Sequence, residues 1–163
     1  MASFENTLRV VNAMKDTGIV ADYAIAGAMA LMFWIEPVPT FDLDVLVLLP
    51  PSAKPLVSLE PIYQWAAARG YAAEHEHLII DGVPVQFLPS YSDLADEAIR
   101  TAVPRDYQGV DVRVVRPEYL VALYLVPSAR TLKRRERAAA LRDSAAIDSE
   151  QLAKVLARYN LSF

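Results

Sequence analysis

Apolar residues recur at helical spacing from the start of the chain: Phe4, Leu8, Val11 and Met14 form one stripe, with Ser3 placed to cap it and Gly18 just beyond it, which predicts an amphipathic helix over residues 3–16. Tyr23-Ala24-Ile25-Ala26 reads as a short apolar strand running into Gly27, and Ala28 to Trp34 as a buried helix stopped by Pro37 and Pro39. The clearest strand is Phe41 to Leu49, where Leu43, Val45, Val47 and Leu49 occupy one face and Asp42, Asp44, Leu46 and Leu48 the other. Pro50-Pro51 ends it. Pro55 to Arg69 then predicts a helix closed by Gly70, and Ala73 to Ile80, the turn Asp81-Gly82 and Val83 to Leu88 predict a hairpin. Ser92 caps a helix to Arg100, Val110 to Val115 is a further strand, and Arg116-Pro117-Glu118 opens a helix with proline at its first position. Thr131 to Arg142 and Asp148 to about Tyr159 complete an all-helical tail, the last one opening on Asp148-Ser149-Glu150-Gln151. The fold class is α+β: a mixed sheet flanked by helices, one domain over 1–163, with its core in about 1–115 and its helical tail in about 116–163.

Composition narrows the chemistry more than the fold. Of 163 residues 54% are hydrophobic, enough for one core with apolar surface to spare for a second copy in a homodimer. Cysteine is absent, which removes disulfides, thiolate nucleophiles and Cys-ligated metals. Glycines stand at 18, 27, 70, 82 and 109, so neither a G-x-G-x-x-G dinucleotide loop nor a G-x-x-x-x-G-K-[ST] phosphate loop is present. His75 and His77 are the only histidines, and without a G-x-S-x-G elbow Ser–His hydrolase chemistry has little to stand on. The start of the chain lacks a basic and apolar leader, and no apolar run approaches a membrane span, so the expectation is a cytoplasmic protein with no membrane partner. Charge is uneven: residues 1–104 carry 5 Lys+Arg against 13 Asp+Glu, and residues 105–163 carry 11 against 7, for the net of −4. An acidic site facing a basic wall would suit a metal and a phosphorylated ligand, although solvated helix faces give the same asymmetry.

Asp42 and Asp44 hold the centre of that reading. At i and i+2 on one strand their carboxylates point the same way and suit a hard divalent ion such as Mg²⁺, which neutralises phosphate charge during phosphoryl transfer; the bland alternative is a strand-entry cap and a solvated acid. Arg130, Lys133, Arg134 and Arg137 can line one helix face for a polyphosphate or an RNA backbone, or form an ordinary solvated surface. His75 and His77, alternating with Glu74 and Glu76, are better explained as decoration of an exposed edge strand than as a metal pair. Trp34 and Trp65 read as core or interface.

The order Tyr23-Ala24-Ile25-Ala26-Gly27-Ala28-Met29-Ala30, helix, Pro39-Thr40-Phe41-Asp42-Leu43-Asp44-Val45-Leu46-Val47 resembles the nucleotidyltransferase superfamily: a strand ending in Gly-Gly or Gly-Ser, a helix, then an Asp-x-Asp strand. It is most similar to small bacterial proteins grouped near the AbiEii toxins of type IV toxin–antitoxin systems, and Val83 to Pro89, Arg116 to Leu123 and the basic run Lys133 to Arg137 extend the likeness over most of the chain. The resemblance implies Mg²⁺-dependent transfer of a nucleoside monophosphate from an NTP to an RNA or protein acceptor, with an antitoxin as partner. It assigns Asp42 and Asp44 to metal and catalysis and Gly27, Ala28, Thr40, Lys133 and Arg137 to the nucleotide; should the cationic partner lie elsewhere than Lys133, Arg113 or Arg130 is the next candidate. Three departures accompany it: Ala28 replaces a Gly or Ser, Val38 stands where many relatives carry arginine, and Gln86 falls at the third carboxylate. A neutral amide cannot be the base, so either Glu74, Glu76 or Asp81 stands in, or the chain is a catalytically inactive nucleotide-binding or partner-binding relative.

Overall fold

The computed structural model describes residues 2–35, 40–51 and 58–163. In chain order the elements are α1 (Phe4–Asp16), β1 (Asp22–Ala26), α2 (Gly27–Leu31), β2 (Leu43–Leu48), α3 (Glu60–Ala68), β3 (Ala72–Glu74), β4 (His77–Ile80), β5 (Val83–Pro89), α4 (Asp93–Arg100), β6 (Val103–Tyr107), β7 (Val110–Val114), α5 (Pro117–Leu125), α6 (Leu132–Arg142) and α7 (Ser149–Arg158). The strands make one seven-stranded mixed sheet in the order β3-β4-β5-β2-β1-β7-β6, flanked by helices and followed by a helical tail, which is the α+β architecture expected. Strand β2 lies at its centre, antiparallel to β1 and parallel to β5. Its run Leu43, Val45, Leu46, Val47 is buried because helices or strands cover it on every side. No helix among the described residues is long and apolar enough to cross a membrane.

Local chemistry places most element ends. Ser3, Ser92, Thr131 and Asp148 each accept a hydrogen bond from a first-turn amide, of Asn6, Ala95, Arg134 and Gln151 respectively, contacts worth about 1 kcal/mol each. Asp81 and Gly82 both adopt positive φ (49° and 80°), as a tight two-residue turn requires, and join β4 to β5. Helix α5 is apolar nearly all round and is the hub of the tail, packed by α4, α6 and α7. Its buried Glu118 accepts the Asp148 amide at 3.3 Å and so fixes the start of α7.

Four boundaries differ from the sequence reading. The strand expected from Phe41 begins at Leu43, because β1 ends at Ala26, the partner of Asp44, and Thr40 Oγ1 donates to the Asp42 carbonyl at 3.0 Å instead; Phe41 is left 84% exposed. Ala73 to Ile80 is two strands, because His75 takes φ 56° and turns the chain back so that Glu74 pairs His77. The helix after Gly27 shortens to α2 and continues as turns with Met32, Phe33 and Trp34 amides bonded three residues back. Edge strand β6 carries Pro104, which masks it in sequence but is tolerated where one side of a strand has no neighbour. The predicted stops Pro37 and Pro39, the departure at Val38 and the start of the helix predicted from Pro55 lie outside the described residues.

One buried hydroxyl ties α1 to the sheet. Thr7 Oγ1 stands 2.7 Å from the Ser3 carbonyl and 2.8 Å from the Ile80 carbonyl, with its single proton to share. Thr7→Val keeps the shape and strands the Ile80 oxygen, so it is expected to cost about 1–2 kcal/mol in denaturant unfolding with an unchanged slope. Equal midpoints for the two proteins would mean the hydroxyl contributes nothing to that joint.

Candidate functional site

The row Ala26, Asp44, Gln86 runs across β1, β2 and β5 in register, so the Asp44 and Gln86 side chains share one face of the sheet. Immediately after Ala26, Gly27 adopts φ 61° as the chain turns into α2, and the Asp44 carboxylate leans over it. A Cβ on Gly27 would lie 3.0 Å from Asp44 Cγ and closer still to Oδ2. The small residue therefore makes the room in which the carboxylate sits. Asp42, on the segment entering β2, is near enough to act electrostatically on Asp44; burial first, then the Asp42 charge, push the Asp44 carboxyl above the usual range, while Arg134, His77 and Arg137 pull it back.

Those three groups come from two distant stretches. His77 opens β4 one residue beyond the Leu78–Val85 pair, on the side of β5 opposite β2, and its Nε2 reaches to 3.9 Å from Asp42 Oδ2. Arg134 and Arg137 belong to α6, whose inner stripe is Arg134, Arg137, Ala138 and Leu141; Ala138 and Leu141 are buried, and the arginines extend that stripe toward Asp44. Beneath them on α5, Tyr124 is 3% exposed, and its ring lies under the Arg134 guanidinium, 5.9 Å from Cζ to centroid.

The structure brings together Gly27, Asp42, Asp44 and Gln86 from the sheet with Arg137 from the tail, and Thr40 stands beside Asp42 through its backbone bond. Ala28 follows Gly27 at the start of α2. Lys133 is exposed, a helical step of about 100° away from Arg134 on the outer side of α6. Arg130 donates to the Ser162 carbonyl, and Arg113 pairs with Asp22 at 3.1 Å, at the far end of β1 from Asp44. His75 stays in the turn, so the two histidines share no strand face; of the pair, His77 is the one at the site. Arg134 was one of four cations along the basic run, and only its position relative to Ala138 and Leu141 in the packed helix singles it out. Tyr124 had no signal at all, since a tyrosine in Val121-Ala122-Leu123-Tyr124-Leu125 reads as core.

Among the described residues no cluster of three or more His, Cys, Asp and Glu could by itself hold a metal ion. Two carboxylates nevertheless fit a small hard cation, which is bound by one or two acids together with ligand phosphates and water. The raised Asp44 carboxyl, charged against Asp42, is a site that gains from such an ion. A second polar hollow of about 170 Å³, between α1 and the β6–β7 edge, is lined by Asn12, Lys15, Tyr23 and Arg113. Its groups serve one another: Tyr23 Oη donates to Asn12 Oδ1 and accepts the Arg113 amide at 3.2 Å, and Lys15 pairs with Asp22 at 3.2 Å.

No family model and no curated protein sequence matches the chain. Solved structures do. The antibiotic-resistance factor ANT(2'')-Ia in solution superposes with a TM-score of 0.55 at 16% identity, over 98% of this chain and 93% of that one. An antigenic nucleotidyltransferase-like protein from Paracoccidioides brasiliensis gives 0.56 at 14%, over 97% and 88%. ANT(2'')-Ia in complex with adenylyl-2''-tobramycin gives 0.54 at 15%, over 94% and 97%. At such identities the likeness establishes architecture, and the chain therefore has a nucleotidyltransferase-like fold.

Proposed function

We propose that this protein is a divalent-metal-dependent nucleotidyltransferase, and the observation that carries the reading is the meeting of Asp42 and Asp44 with Arg134 and Arg137 over Gly27. In the reaction an acceptor oxygen forms a bond to the α-phosphorus of an NTP, the bond to the β-phosphate oxygen breaks, and pyrophosphate leaves with the acceptor's proton going to solvent. Asp42 and Asp44 would hold the ion, Mg²⁺ by the hardness of its ligands, and when bound it supplies charge neutralisation on the phosphates. Arg134 and Arg137 bind the polyphosphate oxygens and offset their repulsion from the two carboxylates. Gly27 and Ala28 offer backbone amides close to that space, Thr40 steadies the approach of Asp42, and Gln86 orients a ligand or water without taking a proton. A ligand with an adenylyl group, of the kind seen in the ANT(2'')-Ia complex, suits this arrangement.

The resemblance to AbiEii-like proteins extends the proposal to an RNA or protein acceptor and an antitoxin partner. One observation favours a second reading: Gln86, in register with Asp44, puts a neutral amide where the resemblance implies a third carboxylate, which fits a protein that binds nucleotide without turning it over.

Calorimetric titration with ATP and Mg²⁺ tests the binding step common to both. Arg137→Ala is expected to weaken binding about 10- to 100-fold, with strong salt dependence, and Lys133→Ala, on the outer side of α6, by less than about threefold. Equal effects of the two substitutions would mean that the polyphosphate does not lie along the inner stripe of α6.

A further inference from the structure

Tyr124 has a hydroxyl with nowhere to go. The residue is 3% exposed, and among the described residues its Oη has no hydrogen-bond partner. Native proteins leave few buried polar groups unpaired, because each costs the desolvation that a partner would repay. Tyr23 shows what the alternative looks like: it is also buried, but its hydroxyl donates to Asn12 Oδ1 and accepts the Arg113 amide. Tyr124 instead stands within electrostatic range of Asp44, Arg134 and Arg137, the groups of the proposed cleft. Arg137 leans toward the oxygen without closing a bond of good geometry, and closing it would not help the proton. Guanidinium only donates, so the phenolic hydrogen would still need an acceptor.

We infer that Tyr124 is a ligand-contacting residue whose hydroxyl donates to a phosphate oxygen held between Asp44 and the Arg134/Arg137 pair. The inference rests on the nucleotide-site reading and adds to it a neutral donor from the buried tyrosine under Arg134. A phosphate oxygen is the acceptor the position calls for: two arginines beside it select an anion, and among the described residues no group accepts the bond. Burial pushes the phenol up to about 12, so at neutral pH it remains a donor and adds no negative charge against the polyphosphate. With Arg134 over its ring, the tyrosine also props the guanidinium from below.

The experiment separates this residue's role from the reading beneath it. Wild type and Tyr124→Phe are titrated with inorganic tripolyphosphate and with ATP, each with Mg²⁺, and their ligand-free melting temperatures are compared. Tyr124→Phe should bind both ligands at least about tenfold more weakly, the effect of losing one hydrogen bond to a charged acceptor. Ligand-free, it should melt no lower than wild type, because among the described residues the deleted hydroxyl had no partner to lose. Unchanged affinity would overturn the inference while leaving the nucleotide site standing. A lower ligand-free melting temperature would overturn it too, since the hydroxyl would then have a structural partner such as an internal water. Wild type that binds neither ligand would remove both the inference and the binding reading, whereas tripolyphosphate binding through Tyr124 without nucleotidyl transfer would remove only catalysis.

Discussion

Gly27→Ala is expected to remove nucleotide binding and to destabilise the fold by about 2–4 kcal/mol. Two costs add. A residue with a side chain at φ 61° loses about 1 kcal/mol against glycine, and the new Cβ must also displace the Asp44 side chain, whose Oδ2, Cγ and Cβ it would crowd. Moving Asp44 breaks its alignment with Asp42, so the site suffers before the fold does. Gly18, whose missing Cβ faces open space at a similar φ of 80°, is the control: Gly18→Ala should show the backbone cost alone and keep full binding. Similar losses of binding for the two variants would mean that the contact with Asp44 is incidental.

Asp44→Asn is expected to lower nucleotidyl transfer by about 10³-fold or more, equivalent to about 4 kcal/mol of transition-state stabilisation, while leaving the metal-free protein at least as stable as wild type. The carboxyl is raised above its ordinary value of 3.8 by burial and by Asp42. The folded state thus holds the proton more tightly than the unfolded state does, and this group's contribution to stability is full below the unfolded value and is lost as pH rises through the folded one. In chelator, the stability difference between Asp44→Asn and wild type should therefore widen in favour of the variant as pH rises above the ordinary carboxyl value of 3.8. Added Mg²⁺ should raise the melting temperature of wild type and leave the variant unmoved. A variant less stable than wild type in chelator would show that Asp44 serves the fold rather than a ligand.

Much of this architecture is written locally. Alternation over Leu43 to Leu48, caps at Ser3, Ser92 and Asp148, and the Asp81-Gly82 turn each act within a few residues, so sequence alone reveals them. Strand β6 escapes because its hairpin closes on Gln108-Gly109, with φ 48° and 86°, in place of the more readable Asn-Gly or Asp-Gly, and because Pro104 sits inside it. The sheet side of the site is legible for the same reason as β2: Gly27, Asp42 and Asp44 lie within one strand, turn and strand. Its other wall is not. Whether Lys133 or Arg134 faces Asp44 depends on how α6 rotates when Ala138 and Leu141 bury against α5, and Tyr124 acquires meaning only once that helix lies over the sheet. His77 reaches Asp42 only because His75 turns the chain, a backbone choice that an alternating pattern of acids and histidines conceals.

The central claim is that Asp42 and Asp44 serve nucleotidyl transfer. Its most direct test is incubation of wild type and Asp44→Asn with α-phosphate-labelled ATP, GTP, CTP and UTP, Mg²⁺ and separate pools of RNA and protein acceptors. Label covalently attached to one acceptor pool by wild type, with matching pyrophosphate release and neither product from Asp44→Asn, is the predicted result. Labelling at the same background level for both proteins, with no pyrophosphate from either, would contradict it.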